Sequence, residues 1–193
     1  MVLSQADKMS ADVKSDTDIK EKWQGREMIS KKIVLIGDFS TGKTSLIRRF
    51  VDNQFSDTYL STIGVKISRK EIALPSATIQ GLIWDVEGGT ETKPVNKVYL
   101  AGADGCIVVA DVTRSETIKH IETYTDIIRQ ASPKVAVMVV LNKVDCLKHD
   151  EKEQMKIKIS EQYKDASLTS AKSGEGVELM FTALAERIME RQG

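Results

Sequence analysis

Four consecutive apolar residues, Ile33-Val34-Leu35-Ile36, are followed by a short polar loop and then by Leu46, Ile47 and Phe50 at helical spacing. The run predicts a buried strand, and the spacing predicts a helix over 43–52. The same two signatures alternate along the rest of the chain. Apolar strand runs fall at 32–36, 65–73, 78–85, 105–110 and 135–141, with a shorter one at 166–169. Helical patterns fall at 43–52, 93–100, 115–130, 150–163 and 175–190. Such alternation predicts an α/β fold, a six-stranded and mostly parallel sheet with helices on both faces. One pair departs from it. Only Leu74-Pro75-Ser76-Ala77 separates 65–73 from 78–85, too little for a crossover helix, so these strands are expected to form an antiparallel hairpin at one edge. Residues 1–30 are polar, charged and poor in β-branched or aromatic residues apart from Trp23. A mobile extension is expected there, with some helix near Ile19 to Met28, ahead of a single domain over 31–193.

Composition narrows the classes. With 193 residues, 41% of them hydrophobic, the chain suits one domain with a sizeable core. Its 28 basic and 28 acidic residues cancel, so nothing global points to nucleic acid or to an anionic membrane surface. Cys106 and Cys146 each lie beside an apolar run, form no metal-ligand pair and are expected as buried thiols in a reducing compartment. No apolar stretch approaches the roughly 20 residues of a membrane span, and no signal core is visible, so a cytoplasmic protein is expected. Val2 leaves no myristoylation site and the last residues hold no cysteine, so no lipid anchor is expected by those routes.

The run Gly37-Asp38-Phe39-Ser40-Thr41-Gly42-Lys43-Thr44 fits G-x-x-x-x-G-K-[ST] and stands between the first strand and the first helix, the context a phosphate-binding loop requires. Its glycines let successive N–H groups turn toward phosphate oxygens, and the helix opening at Gly42-Lys43 adds its positive end. Asp38, Phe39, Ser40, Thr41, Gly42, Lys43, Thr44 and Ser45 are therefore candidate phosphate ligands. Lys43 would supply the charge, and the Thr44 hydroxyl a ligand for Mg²⁺. Further along, Asn142-Lys143-Val144-Asp145 directly follows the strand 135–141, and Thr169-Ser170-Ala171-Lys172 ends the last strand. Gly37, Asp85, Asn142 and Ser170 all fall at carboxyl ends of strands, the rim where ligands of such sheets bind.

These motifs, with Thr62-Ile63-Gly64-Val65, Trp84-Asp85 and Tyr99-Leu100-Ala101-Gly102-Ala103-Asp104-Gly105, resemble the small GTPases of the Ras superfamily and look most like the Rab branch. The resemblance covers residues 32–190. It implies that Asp145 accepts hydrogen bonds from guanine N1–H and the exocyclic amine, a donor pair adenine lacks. It also implies that Asn142 ties loops together, that the stem of Lys143 lies over the purine, and that the loop of Ser170, Ala171 and Lys172 meets the base, Ala171 through its N–H. Phe55 matches an aromatic that packs on guanine, with Tyr59 in the same loop. Thr62 matches a switch threonine that binds Mg²⁺ and the γ-phosphate, Asp85 would hold the metal through water, and the Gly88 N–H would bond the γ-phosphate. GTP or GDP and Mg²⁺ are the implied cofactors.

One motif departs from the family. Most members have Asp-Thr-Ala-Gly-Gln where this chain has Asp85-Val86-Glu87-Gly88-Gly89, so the water-orienting glutamine is replaced by a residue with no side chain. No arginine stands just before Thr62 either. Slow hydrolysis is expected, with a modest gain from Gly89→Gln if the backbone there matches the family. Glu87 is open to three readings: it repels the γ-phosphate, it positions the water, or it points to solvent. Lys43, Thr62 and Glu87 are the candidate catalytic residues. The resemblance therefore implies a GTP-hydrolysing switch; the alternative is a GTP-binding scaffold without hydrolysis. Effector, exchange-factor and activating proteins are the expected partners of a monomeric chain, docking on the switches and on Ile67, Trp84 and Tyr99, which match an aromatic triad of Rab proteins but for the aliphatic Ile67. A peripheral place on a membrane would come through such a partner.

Overall fold

The computed structural model describes residues 28–58, 61–75, 77–90, 94–163 and 166–191. Its strands are β1 (Met28–Ile36), β2 (Val65–Ala73), β3 (Thr78–Val86), β4 (Gly105–Asp111), β5 (Ala136–Asn142) and β6 (Ser167–Leu168). Its α-helices are α1 (Lys43–Asp52), α2 (Ser115–Lys119), α3 (Ile121–Ala131), α4 (His149–Gln162) and α5 (Val177–Glu190). The six strands form one sheet in the order β2-β3-β1-β4-β5-β6. All pairings are parallel except β2 with β3, which run antiparallel from Val65 opposite Val86 to Ala73 opposite Thr78. The expected edge hairpin is present, closed by a bond from Leu74 N to Ala77 O.

Alternation along β1 divides the core. Ile33 and Leu35 face one layer, where they meet Leu46, Ile47 and Phe50 of α1 and Phe181 and Leu184 of α5. Val34 and Ile36 face the other, with Ile121 and Ile128 of α3 and Ile159 of α4. Successive strand residues point to opposite faces, so a strand covered on both sides must be apolar throughout, as 33–36 is. Phe50 stacks on Phe181 with ring centroids 3.9 Å apart, which clamps α1 to α5 beneath the rim.

Several boundaries move. β1 starts at Met28, inside the segment read as an extension, because β3 runs alongside and pairs with it from Thr78 onward. The start Met28-Ile29-Ser30-Lys31 is interrupted by polar residues and lacks the continuous apolar run of 33–36, and main-chain bonding needs no apolar pattern. The remainder of the expected helix near Ile19 lies outside the described residues. The helical pattern at 93–100 yields a single 3₁₀ turn over Lys97–Leu100, started by Asn96, whose side chain accepts from Val98 N at 3.0 Å. The helix expected over 115–130 is broken at His120 into α2 and α3. Cys106 is buried as expected, but Cys146 is exposed: it sits in the short 3₁₀ turn Val144–Cys146, past the end of β5 rather than within it. Among the described residues no helix is long and apolar enough to cross a membrane.

Candidate functional site

The carboxyl ends of β1, β3 and β5 open on a cavity of about 310 Å³. Phe39, Ser40, Gly42, Lys43, Thr44 and Ser45 line it from the β1–α1 loop and the first turn of α1; Phe55, Thr62 and Gly88 line a second side. Asn142, Lys143, Asp145, Ala171 and Lys172 close the third. The loop's shape is dictated locally. Gly42 caps α1 at φ 94°, and a Cβ there would strike the Asn142 side chain, so only glycine lets the turn pass.

Lys43 is 6% exposed, and its ammonium donates to Gly37 O at 3.0 Å and Asp38 O at 2.8 Å. Burial pushes it down to about 8, against the pull of Asp85 and Asp38. A lysine so placed gains when an anion arrives, because a charge taken from water is then paired. At the start of the same helix, Thr44 donates to Asp85 Oδ2 at 2.7 Å, and the Thr62 hydroxyl lies 2.7 Å from that of Thr44 and 3.3 Å from Asp85 Oδ2. Asp85 Oδ1 is buried with no hydrogen-bond partner among the described residues. Burial raises the Asp85 carboxyl above its usual range despite Thr44 and Lys43. An orphaned carboxylate oxygen beside two hydroxyls is a donor set that fits a small hard divalent cation, one that keeps most of its waters.

At the base end, Asn142 binds three loops together. Its Nδ2 donates to Thr41 O at 3.0 Å, and its Oδ1 accepts from Ala171 N at 3.2 Å and the Thr169 hydroxyl at 3.3 Å. The Ala171 N–H, expected to meet the base, is thus already donated to Asn142. Lys143 has φ 70°, and its ammonium reaches Asp111 Oδ2 at 2.6 Å and Ser40 O at 3.0 Å. Burial raises the Asp111 carboxyl, but hydrogen bonds from Lys143 and Thr113 outweigh it and leave it below the usual range. Asp145 is exposed at the cavity's mouth, with Oδ1 held by the Ser170 hydroxyl at 2.6 Å. Arg49 of α1 reaches across to the same loop, with Nε on Ala171 O at 2.9 Å and an end nitrogen on Lys172 O at 2.7 Å.

Some expected site residues stand elsewhere. Tyr59 lies outside the described residues. Asp38, Thr41, Asp85 and Ser170 do not line the cavity: the Thr41 hydroxyl donates to Asp38 O, the Asp38 carboxylate points to the back of the loop, and Asp85 stands behind the Thr44 and Thr62 hydroxyls. Glu87 does not point to solvent. It is half-buried, its Oε2 accepts from Gly64 N at 3.1 Å, and its own N donates to Gly64 O at 2.8 Å, just past the end of the β2–β3 ladder. At Gly89 the Tyr124 hydroxyl occupies the space a Cβ would need, so a glutamine there requires that hydroxyl to shift. Arg48 and Cys146 also line the cavity and were missed. Arg48 follows Thr44 by four residues, so helical spacing alone places both on one face.

Comparison with known proteins agrees with this geometry. The sequence model described as Ras family matches residues 32–190. Ras-related protein Rab-1 of Theileria annulata is 36% identical over 167 residues, 83% of this chain and 74% of that protein. Ras-related protein Rab-1C of Dictyostelium discoideum is 36% identical over 163 residues, 81% of this chain and 80% of that protein. Ras-related protein Rab7 of Drosophila melanogaster is 31% identical over 177 residues, covering 86% and 84%. With a phosphate-loop cavity at the rim of this sheet and relatives matched over 74–84% of their own length, the chain belongs to the Ras family and stands close to its Rab branch.

Proposed function

We propose that the protein is a guanine-nucleotide switch that binds GTP and GDP with Mg²⁺ and converts GTP slowly to GDP and phosphate. The observation that carries this reading is the joining, in one cavity, of a buried ammonium at Lys43, the Thr44 and Thr62 hydroxyls backed by the buried Asp85 carboxylate, and the Asp145 carboxylate. Lys43 would exchange its two loop carbonyls for phosphate oxygens, and the loop N–H groups with the α1 terminus would take the rest. Thr44 and Thr62 would hold the cation directly and Asp85 through water. When bound, that cation neutralises phosphate charge. Asp145 would read the guanine edge, the heavier share of base choice falling to it because the Ala171 N–H is occupied by Asn142.

Slow hydrolysis is supported by what the neighbouring residues do. Gly89 offers no side chain, Glu87 is engaged by Gly64, and the residue before Thr62 is Ser61 rather than an arginine. Partners would dock on the switches and on the sheet edge between them. Ile67 is half exposed and stands opposite Trp84 across the hairpin, with the Tyr99 ring 6.5 Å from that of Trp84. The test is direct: purify the protein, denature it and chromatograph the released nucleotide. GDP or GTP is expected, and an adenine nucleotide would overturn the reading. Single-turnover conversion of bound GTP then measures the rate.

A further inference from the structure

The back of the phosphate loop carries a constellation that the cavity does not use. Asp38 Oδ1 accepts from the Tyr124 hydroxyl at 2.7 Å, and Oδ2 accepts from His120 Nδ1 at 2.8 Å. Both partners come from the break between α2 and α3 and the first turn of α3. Tyr124 is 8% exposed, and burial beside the Asp38 carboxylate raises its phenol further above the usual range, so it remains a donor. The same hydroxyl occupies the space that a Cβ at position 89 would need, with Val95 Cγ2 next at 3.3 Å.

Gly89 is also joined to the loop through its main chain. Gly89 N donates to Gly37 O at 3.2 Å, Phe39 N donates to Gly89 O at 3.0 Å, and Asp38 pairs with Gly89 as an isolated parallel bridge. Gly88 lies so close that a Cβ would stand 2.6 Å from Phe39 Cα. Gly88-Gly89 is thus held against the phosphate loop, Gly89 by two backbone bonds and Gly88 by close contact, and the Tyr124 hydroxyl stands behind them.

We propose that Tyr124 is a positioning residue for the response to the γ-phosphate: acting through Asp38, it holds the phosphate loop and Gly88-Gly89 as one unit, and its hydroxyl is what requires glycine at 89. The proposal rests on the reading of the cavity as a GTP and GDP site. It gives the departure at 89 a physical cause, since the position serves as a main-chain contact and its side chain is excluded. Removing the hydroxyl takes a buried donor from Asp38 and opens space above Gly89, so the Gly88 N–H is no longer held where the terminal phosphate would arrive. Asn142, Lys143 and Asp145 stand on the opposite side and keep their partners.

The test uses the full chain with Tyr124→Phe, Gly89→Ala and the double variant. Tyr124→Phe should weaken GTP by about tenfold while changing GDP by less than about twofold, a split that a merely structural loss would not produce. In ligand-free protein, Gly89→Ala should lower the unfolding temperature when Tyr124 is intact and markedly less when it is combined with Tyr124→Phe, where only Val95 remains to yield. Equal cost in both backgrounds would overturn the steric part of the proposal without reference to nucleotide. An unchanged GTP-to-GDP ratio in a parent that binds both would overturn the positioning role alone. A parent that binds neither would instead sink the nucleotide reading, and the role with it.

Discussion

Asn142 Nδ2 and the Thr41 carbonyl meet at 3.0 Å, so the loop after β5 holds the loop after β1 by a buried hydrogen bond. Both residues are 1% exposed or less, and the other end of the same amide serves Ala171 and Thr169. Asn142→Ala would leave a carbonyl, an amide and a hydroxyl without their partner in the interior. The expected cost is roughly 2–4 kcal/mol, read as a fall in the urea midpoint with an unchanged slope, accompanied by weaker nucleotide binding.

Lys43→Met separates binding from folding. The depressed ammonium shows that burial disfavours its charge in the ligand-free protein, so an apolar chain of similar length should leave that form at least as stable. Nucleotide affinity should fall by about 3 kcal/mol or more, because a charge-assisted contact to phosphate is lost. Thermal unfolding with and without GDP measures both at once: the parent's melting temperature should rise with GDP, and the variant's should barely move.

Asp145→Asn should weaken GTP and GDP while improving the xanthine nucleotides. The amide turns one acceptor into a donor at the point where guanine presents two donors. Competition among GTP, XTP and ATP decides it, and preference of the parent for ATP would contradict the assignment. The Ser170 hydroxyl, 2.6 Å from Asp145, can still donate to the remaining carbonyl oxygen, so the loop should keep its shape.

The two thiols should behave differently. Cys146 is exposed and lines the cavity, whereas Cys106 is fully buried and burial pushes it up to about 12. At pH 8 a thiol reagent should modify one cysteine of the native chain, and GDP should slow that reaction. The sign of the pH effect on stability follows from the same shift. Between about 9 and about 12 the unfolded chain releases the Cys106 proton first, so stability falls as pH rises, by up to about 1.4 kcal/mol per pH unit. Comparing urea midpoints of the parent and Cys106→Ala at pH 8 and pH 10 should show a shallower alkaline loss in the variant.

Local pattern made some of this molecule legible. Ile33 to Ile36, the glycine-lysine loop and the α1 periodicity are consecutive in the chain, so strand, turn and helix could be read in order, and the short link at Leu74 to Ala77 permits only a hairpin. The back of the phosphate loop was not legible. Asp38 meets Tyr124 across a separation of 86 residues and His120 across 82, and no spacing rule links such positions. The same reason hid the exclusion of a side chain at 89, where an unexpected glycine in the sequence is explained by a hydroxyl on another element. Of the three readings open for Glu87, the solvent-facing one fails because its partner is a main-chain N–H at Gly64, which has no signature in side-chain chemistry.

Arg49 joins two recognition loops into one body. By grasping the carbonyls of Ala171 and Lys172, it makes the helix that carries the phosphate loop also carry the base-reading loop. One jaw of the cavity is therefore a single block, which on the proposed reading would span base and inner phosphates alike and present the same surface to either nucleotide. On the proposed reading of the cavity, a triphosphate would be told from a diphosphate chiefly by the other jaw, from Thr62 to Gly89. The two jaws are not independent, however: Gly89 is bonded to Gly37 and Phe39, and Thr44 to Thr62 and Asp85, so a change in the segment from Thr62 to Gly89 is passed directly to the block that Arg49 ties together.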